Sequence, residues 1–468
     1  MTRREFIVKA GASAAALAVA SASFAADKPS ARANVLLITA DDMNYESLGI
    51  TGSKTPGVSS NIDALAKSGM LFQHAHVNSA ICQPSRSVIM TGRYPHRSGA
   101  LGFDPIREDV PTLGESLRAA GYLNGIIDKV GHLAPESKFC WDFVVGSKET
   151  DHGRGPKLYY NHTKRFLDQA KAAGKPFFLI ANSQDPHRPF PEETDTSISR
   201  RYKPEEVEVP GFLPDLPNVR REVASYYTAV HRCDETVGQI LKALKDSGQE
   251  DNTLVIFLSD NGMSFPYAKT NCYEVSTRTP LILRWPSHIK PGKVDSDDMV
   301  SCLDLMPTIL EALDVKPPTG MDGRSFLPLL EGKPQDGRDK VFTFITRNSS
   351  RTEEPIRSVR TKHSSYIYNA WSDGKMTFRN ESQGGLTFPA MKKAGETDPK
   401  IAQRVNFFLH RVPEEFYDLD ADPWELRNLI DSPEHKSQIG KLRSEMLAMM
   451  ESTSDPLLEG FRRRIGRG

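Results

Sequence analysis

Asn34-Val35-Leu36-Leu37-Ile38-Thr39-Ala40-Asp41-Asp42 joins a short apolar run to two adjacent carboxylates. The run is too short for an ordinary helix and shows no polar alternation, the pattern of a strand buried on both faces. Three further segments repeat the arrangement. Tyr122 to Ile127 runs into Asp128-Lys129-Val130-Gly131-His132, and Pro176 to Ala181 into Gln184-Asp185-Pro186-His187. Thr253 to Leu258 runs into Ser259-Asp260-Asn261-Gly262. Helical patterns lie between them, at Asn61 to Ser68, Thr112 to Ala120 and Val223 to Ser247. Such alternation predicts an α/β fold: a large, mostly parallel sheet sandwiched by helices. Ligands gather at the carboxyl ends of the strands in open sheets of this kind, so the four polar clusters point to one shared site.

The texture changes after about Pro334. Lys340 to Thr346, Ile356 to Asn369 and Glu415 to Leu419 read as strands at loop-length spacing, and Ser437 to Met450 as an amphipathic helix. The expectation is a main domain over residues 32–335. A C-terminal antiparallel-sheet subdomain with a terminal helix follows over 336–468, ending in a frayed basic tail (Arg462, Arg463, Arg464, Arg467).

Composition sets limits. Hydrophobic content of 38% with 26% charged residues is that of a globular protein. Formal net charge is +0, so no overall field favours nucleic acid, and no nucleic-acid partner is expected. Thr2 to Lys9 carries a twin-arginine pattern at Arg3-Arg4, Ala10 to Ala22 is uncharged and apolar, and Ser23-Phe24-Ala25 offers a small-x-small cleavage site. Residues 1–25 therefore read as a bacterial export signal. The twin-arginine machinery would be a partner, and a periplasmic or extracellular location the destination. Without them the balance is 57 basic to 59 acidic residues. The five cysteines, Cys82, Cys140, Cys233, Cys272 and Cys302, show no Cys-x-x-Cys spacing, and zero, one or two disulfides fit an exported protein.

Asp41, Asp42, Asp260 and Asn261 form an all-oxygen donor set suited to one hard divalent cation, without which three neighbouring carboxylates repel. Arg86, Lys129 and Lys269 are candidate cations for an anionic group, Arg86 by its fork and the lysines as point charges. His132 and His187 are candidate proton carriers. Cys82-Gln83-Pro84-Ser85-Arg86 runs on to Thr91-Gly92, with Pro84 suited to a first helical position and helix-opening N–H groups that favour an anion. On these grounds alone Cys82 is either a nucleophile or a small buried hydrophobe.

Cys-x-Pro-Ser-Arg with Thr-Gly at this spacing resembles the signature of the type I sulfatases of the alkaline-phosphatase-like superfamily. Ala40-Asp41-Asp42, Ser259 to Gly262, Leu303 to Thr308 and Tyr417-Asp418-Leu419 extend the resemblance from Asn34 to about Leu429. Within that class, Gly125 to Lys129, Asp185-Pro186-His187-Arg188 and Thr253 through Phe265-Pro266 to Lys269-Thr270-Asn271 are similar to the sulfamidases, the N-sulfoglucosamine sulfohydrolases. Two features depart from that group. Two residues separate Lys129 from His132, as in iduronate-2-sulfatases, where sulfamidases have one; and Lys269 stands where their pattern has Arg.

The resemblance implies that Cys82 is oxidised by a maturation enzyme to formylglycine, whose hydrate attacks sulfur and forms a covalent sulfate ester. It implies Asp41, Asp42, Cys82, Asp260 and Asn261 around the metal, calcium in preference to magnesium. His187 or Lys269 would assist the leaving group, His132 would take the proton that lets sulfate depart, and Arg86 and Lys129 would offset its charge. The expected substrate is a sulfated oligosaccharide, with N-sulfated glucosamine at a chain end of heparan sulfate or heparin favoured. The alternatives are an O-sulfatase on glucosamine, uronate or another sulfated polysaccharide, a phosphoester or phosphonate hydrolase, and a silent glycan-binding protein. Specificity is expected from loops at Asp151 to Lys164, Glu192 to Pro217 and Arg347 to Pro355.

Overall fold

The computed structural model describes residues 32–467 apart from 193 and 197. The proposed export signal lies outside the described residues. Eight strands form the main sheet: β1 (Asn34–Ala40), β2 (Met70–His76), β3 (Leu123–Ile127), β4 (Phe143–Val145), β5 (Phe177–Asn182), β6 (Thr253–Ser259), β7 (Leu281–Arg284) and β8 (Lys293–Ser301). Their order is β4-β3-β5-β1-β6-β7-β2-β8, and β7 alone runs against its neighbours. Every residue of β1, β3, β5 and β6 is buried. Helices and loops therefore cover both faces at the centre, which is why those strands are continuous apolar runs.

Register carries the polar ends to one edge. Thr39 pairs with Asn182, Ala40 with Ser259, and Ile127 with Ala181. The residues that follow each strand thus emerge side by side. Two long helices, Pro156–Ala173 and Pro217–Ser247, pack together and close the sheet. The first of these corrects the expected loop at Asp151 to Lys164, which is helical from Pro156 onward.

The C-terminal part holds a second, antiparallel sheet in the order β12-β11-β10-β9, from β9 (Val341–Arg347), β10 (Glu353–Arg360), β11 (Ser364–Asn369) and β12 (Glu414–Asp418). The helix Lys436–Thr453 buries Ile439, Leu442, Met446 and Met449 from its amphipathic face. Asn78 links this sheet to the main one: its amide donates to the Phe342 carbonyl at 3.0 Å, its carbonyl accepts from Phe344 N–H at 2.7 Å, and its side-chain oxygen accepts from Leu303 N–H at 2.9 Å. The chain from Ala33 onward is one compact unit.

The basic tail is not frayed. Leu458–Arg464 is a helix that buries Phe461, with Arg462 paired to Glu451 and Glu459 and Arg464 to Glu414. Charge pairing and one buried ring hold a segment whose composition alone suggests solvent. All five cysteines are free thiols.

Candidate active site

Cys82 opens the helix Cys82–Thr91, which Gly92 ends in a left-handed conformation (φ 61°), its N–H donating to the Val88 carbonyl at 2.9 Å. Pro84 is the third helical residue, one of the first-turn positions whose N–H has no intrahelical partner. The helix sets Cys82 and Arg86 one turn apart, and both are only 3% exposed.

The strand ends meet around Cys82. Its Sγ lies 3.5 Å from Asp41 Oδ1 and 3.5 Å from Lys269 Nζ. Lys269 Nζ is 2.6 Å from Asp42 Oδ1, which also accepts from Asn261 Nδ2 at 2.7 Å. Lys129 pairs with Asp41 Oδ2. Arg86 reaches Asp260 Oδ2 at 2.7 Å, Thr39 Oγ1 at 2.9 Å and Asn182 Oδ1 at 2.5 Å. His187 Nε2 stands 3.8 Å from Asp42 Oδ2. Asp42, Asp128 and Lys129 take left-handed backbone angles (φ 66°, 59° and 55°), an unfavourable conformation for such residues that aims their side chains off the strand ends.

Three buried carboxylates, Asp41, Asp42 and Asp260, face three buried cations, Arg86, Lys129 and Lys269. Burial would raise Asp41, yet Lys129, His187 and Arg86 hold it well below the usual carboxylate range. Asp260 is pushed up to about 6 by burial and the neighbouring Asp41. Burial would lower Lys269, but Asp42 holds it well above its ordinary value. Burial and Asp41 push the Cys82 thiol far up, so the unmodified side chain is a neutral thiol and a poor nucleophile.

The donor set fits a cation. Asp42 Oδ2 and Asn261 Oδ1 are buried without a hydrogen-bond donor, although buried polar atoms ordinarily have one. Asp41, Asp42, Cys82 and His187 each offer an atom within 4.8 Å of the others, which adds His187 to the donors expected from sequence. Oxygen-rich, carboxylate-dominated surroundings suit calcium or magnesium. A divalent charge there would leave a surplus of positive charge for an anionic group.

A cavity of about 540 Å³ reaches this cluster. Lys129, His132, His187 and Lys269 line it, together with Cys82. His132 packs edge-on against Phe103 and is lowered to about 3 by burial and by Lys129, so it is neutral at physiological pH. Arg86 does not line the cavity; it sits behind Cys82, fixing Asp260 and the ends of β1 and β5.

All the residues expected from sequence converge here, and several participants were not foreseen. Thr39 and Asn182 hold Arg86; both are polar residues at strand ends, and extending the strand-end pattern back by one or two positions finds them. Asp185 Oδ2 and Oδ1 accept from Arg232 at 2.6 and 2.9 Å, while Arg154 donates to the His187 carbonyl at 3.0 Å. That network fixes the His187 loop. Ser349, inside the anticipated Arg347 to Pro355 loop, and Glu381, for which the sequence gives no signal, complete the wall.

The sulfatase family model matches residues 33–315, and the chain belongs to the sulfatase family. It is therefore an enzyme of the sulfohydrolase class. A second model, N-sulphoglucosamine sulphohydrolase, C-terminal, matches residues 264–374. The human N-sulphoglucosamine sulphohydrolase is 31% identical, with 90% of this chain and 91% of the relative covered. An ulvan-active sulfatase of Formosa agariphila is 30% identical over 92% of this chain and 82% of its own. In fold, the chain is similar to a solved structure in complex with its substrate D-glucosamine-2-N,6-O-disulfate (TM-score 0.69, 19% identity, 91% of this chain and 99% of that one).

Proposed function

We propose that the protein is an exported sulfatase that removes the N-sulfate of glucosamine at a chain end of heparan sulfate or heparin. The observation that carries the substrate is the 31% identity to the human N-sulphoglucosamine sulphohydrolase across nine-tenths of both chains, together with the matching C-terminal model. The cavity volume, about 540 Å³, lies in the lower half of the range for ligand sites and suits a terminal sugar. Export rests on the twin-arginine pattern at Arg3-Arg4 and a periplasmic or extracellular destination on the same segment.

Asp41, Asp42, Asp260 and Asn261, with the Cys82 position among them, would hold a divalent cation, calcium in preference to magnesium. Such a cation supplies positive charge for a sulfuryl oxygen and lowers the pKa of a neighbouring hydroxyl. Cys82 is the substrate of a maturation enzyme, and formylglycine at this position supplies, once hydrated, the hydroxyl pair that a thiol lacks. Lys129 and Lys269 line the cavity with fixed positive charge, favouring the sulfate and the charge that develops on it. Lys269, 3.5 Å from the Cys82 sulfur and held protonated, is placed to give a proton to the departing atom, with His187 beside it. His132, neutral and also lining the cavity, is placed to accept one. Arg86 acts as a positioning residue through Asp260 and Asp41.

A second reading, an O-sulfatase on another sulfated polysaccharide, is favoured by the ulvan-active relative at 30% identity and by the two-residue spacing of Lys129 and His132. Assaying the matured enzyme on N-sulfated, 6-O-sulfated and 2-O-sulfated fragments separates the two. Sulfate release from the N-sulfated fragment is expected; release from O-sulfated fragments alone overturns the N-sulfate reading and leaves the sulfatase in place. Phosphate release in excess of sulfate release would mark a phosphoester or phosphonate hydrolase instead.

A further inference from the structure

Two carboxylates lie on the cavity wall outside the metal cluster, and they differ in kind. Asp128 is engaged internally: its oxygens accept from Thr150 Oγ1 and from the Lys129 N–H, each at 2.5 Å. Glu381 faces the cavity with its side chain 24% exposed, on a short 3-10 turn over Glu381–Gln383. Its Oε1 accepts from Thr270 Oγ1 at 3.1 Å and lies 3.8 Å from Lys269 Nζ, while its Oε2 accepts from Ser349 Oγ at 3.1 Å.

The turn is built onto the active site. Asn380 caps it by accepting from Ser382 N–H at 3.0 Å, and donates from Nδ2 to the Lys269 carbonyl at 3.2 Å. Buried Glu354 ties down both rim segments, accepting from Arg379 N–H at 2.9 Å and from Asn348 Nδ2 at 3.2 Å. The Glu381 carboxylate is thus fixed relative to the ammonium that lies 3.5 Å from Cys82.

Its charge has no local necessity. Lys269 is already matched by Asp42 at 2.6 Å, and a further carboxylate on the wall of an anion site opposes sulfate. It becomes favourable only where the substrate brings a donor or a positive charge alongside its sulfate. An N-sulfated amino sugar does both, through its sulfamate N–H before cleavage and the ammonium of the amine afterwards. From Cys82 through Lys269 to Glu381, successive separations of 3.5 and 3.8 Å link the carboxylate to the Cys82 position through the ammonium proposed to serve the leaving group.

We propose that Glu381 is a specificity-determining residue that reads the nitrogen beside the transferred sulfuryl group, accepting from the substrate N–H and pairing with the ammonium of the released amine. This rests on the reading of the substrate as an N-sulfated amino sugar. Glu381 lies beyond both matched segments, 33–315 and 264–374.

The test compares binding of glucosamine and N-acetylglucosamine to the full chain at pH 6.5, for the wild type and Glu381→Gln, by titration calorimetry. Turnover of N-sulfated and 6-O-sulfated glucosamine is measured in parallel. The wild type is expected to bind glucosamine about tenfold or more tightly than N-acetylglucosamine, and Glu381→Gln to bring that ratio close to one. The variant should also lose about tenfold in kcat/KM on the N-sulfated substrate and stay within about twofold on the O-sulfated one. Its thermal midpoint should hold, because the amide oxygen still accepts from Thr270 or Ser349. No preference for glucosamine in the wild type, or an equal fall on both substrates, overturns the inference. If the wild type releases only O-sulfate while its glucosamine preference persists and vanishes in Glu381→Gln, the N-sulfate reading fails and with it the placement beside the transferred sulfuryl group, while the pairing of Glu381 with a substrate ammonium stands.

Discussion

Two of the buried ionic clusters among the described residues finish their bonding differently. Between the sheets, Arg360 on β10 pairs with Glu274 and Glu425, each at 2.8 Å, and Arg357 forks onto Asp455 at 2.7 and 3.2 Å. Every carboxylate oxygen there has a partner: Glu274 Oε1 has Arg278 at 3.4 Å, and Glu425 Oε2 accepts from the Glu274 N–H. What remains over is a donor, Arg360 Nε. Around Cys82 the charges also balance, yet beside one leftover donor, Arg86 Nε, the unpartnered atoms include two acceptors, Asp42 Oδ2 and Asn261 Oδ1. Leftover acceptors call for a cation; a leftover donor does not. Burial and charge are alike in the two places, so completeness of the acceptors separates a structural cluster from a binding one.

The largest effect should fall on Cys82. Cys82→Ala is expected to lower sulfate release by about 10⁴-fold or more while the thermal midpoint holds, since the thiol makes only two long contacts. Mass spectrometry of the wild-type peptide should show a loss of about 18 Da at this residue. Residual activity within about tenfold of wild type, or a persistent thiol in active enzyme, would break the reading of Cys82 as a precursor.

At the other cluster, Arg360→Met should cost about 3–5 kcal/mol of stability, because Glu274 and Glu425 lose their shared cation in a dry site. Specific activity of the folded fraction should be unchanged. A variant that melts like wild type but loses turnover would reverse the assignment of the two clusters.

Calcium sharpens the contrast. Adding it in hundredfold excess over its dissociation constant should stabilise wild type by about 2.7 kcal/mol. Asn261→Ala should weaken that response, whereas Arg360→Met should keep it. Equal responses in the two variants would remove the distinction drawn from the orphan acceptors.

The last effect is acidic. Burial would raise Glu274, but Arg360 brings it down to about 2 from an ordinary 4.5. A depressed carboxyl contributes fully above its unfolded value, and the contribution is lost as pH falls through the folded one. Wild type should therefore lose this stabilisation between about pH 4.5 and 2, and Glu274→Gln should show a flatter acid limb in denaturant titrations. Parallel limbs would show that Arg360 gains nothing from that charge.

Strands covered on both faces were legible because burial leaves one chemistry available, and β1, β3, β5 and β6 read as uninterrupted apolar runs. Strand β8 was not: Lys293–Ser301 carries Asp295, Asp297 and Asp298 at the sheet edge, where solvent accepts charge. The helix Pro156–Ala173 was masked by the Gly- and Arg-rich turn before it. The site was legible for a related reason, since strand ends collect their polar residues within a few positions. Glu381 was not, because its role depends on a turn brought over 100 residues of sequence to Lys269, and nothing within Arg379 to Gln383 marks it.

The 3% exposure of Cys82 bears on the order of events in the proposed conversion. A maturation enzyme acting on Cys82 would have to take the local peptide into its own active site, and all ten residues of the helix Cys82–Thr91 are buried in the folded chain. On that reading conversion and folding would compete for the same segment. A chain that folded first would keep a neutral thiol beside Lys269, and the yield of working enzyme would depend on timing during synthesis.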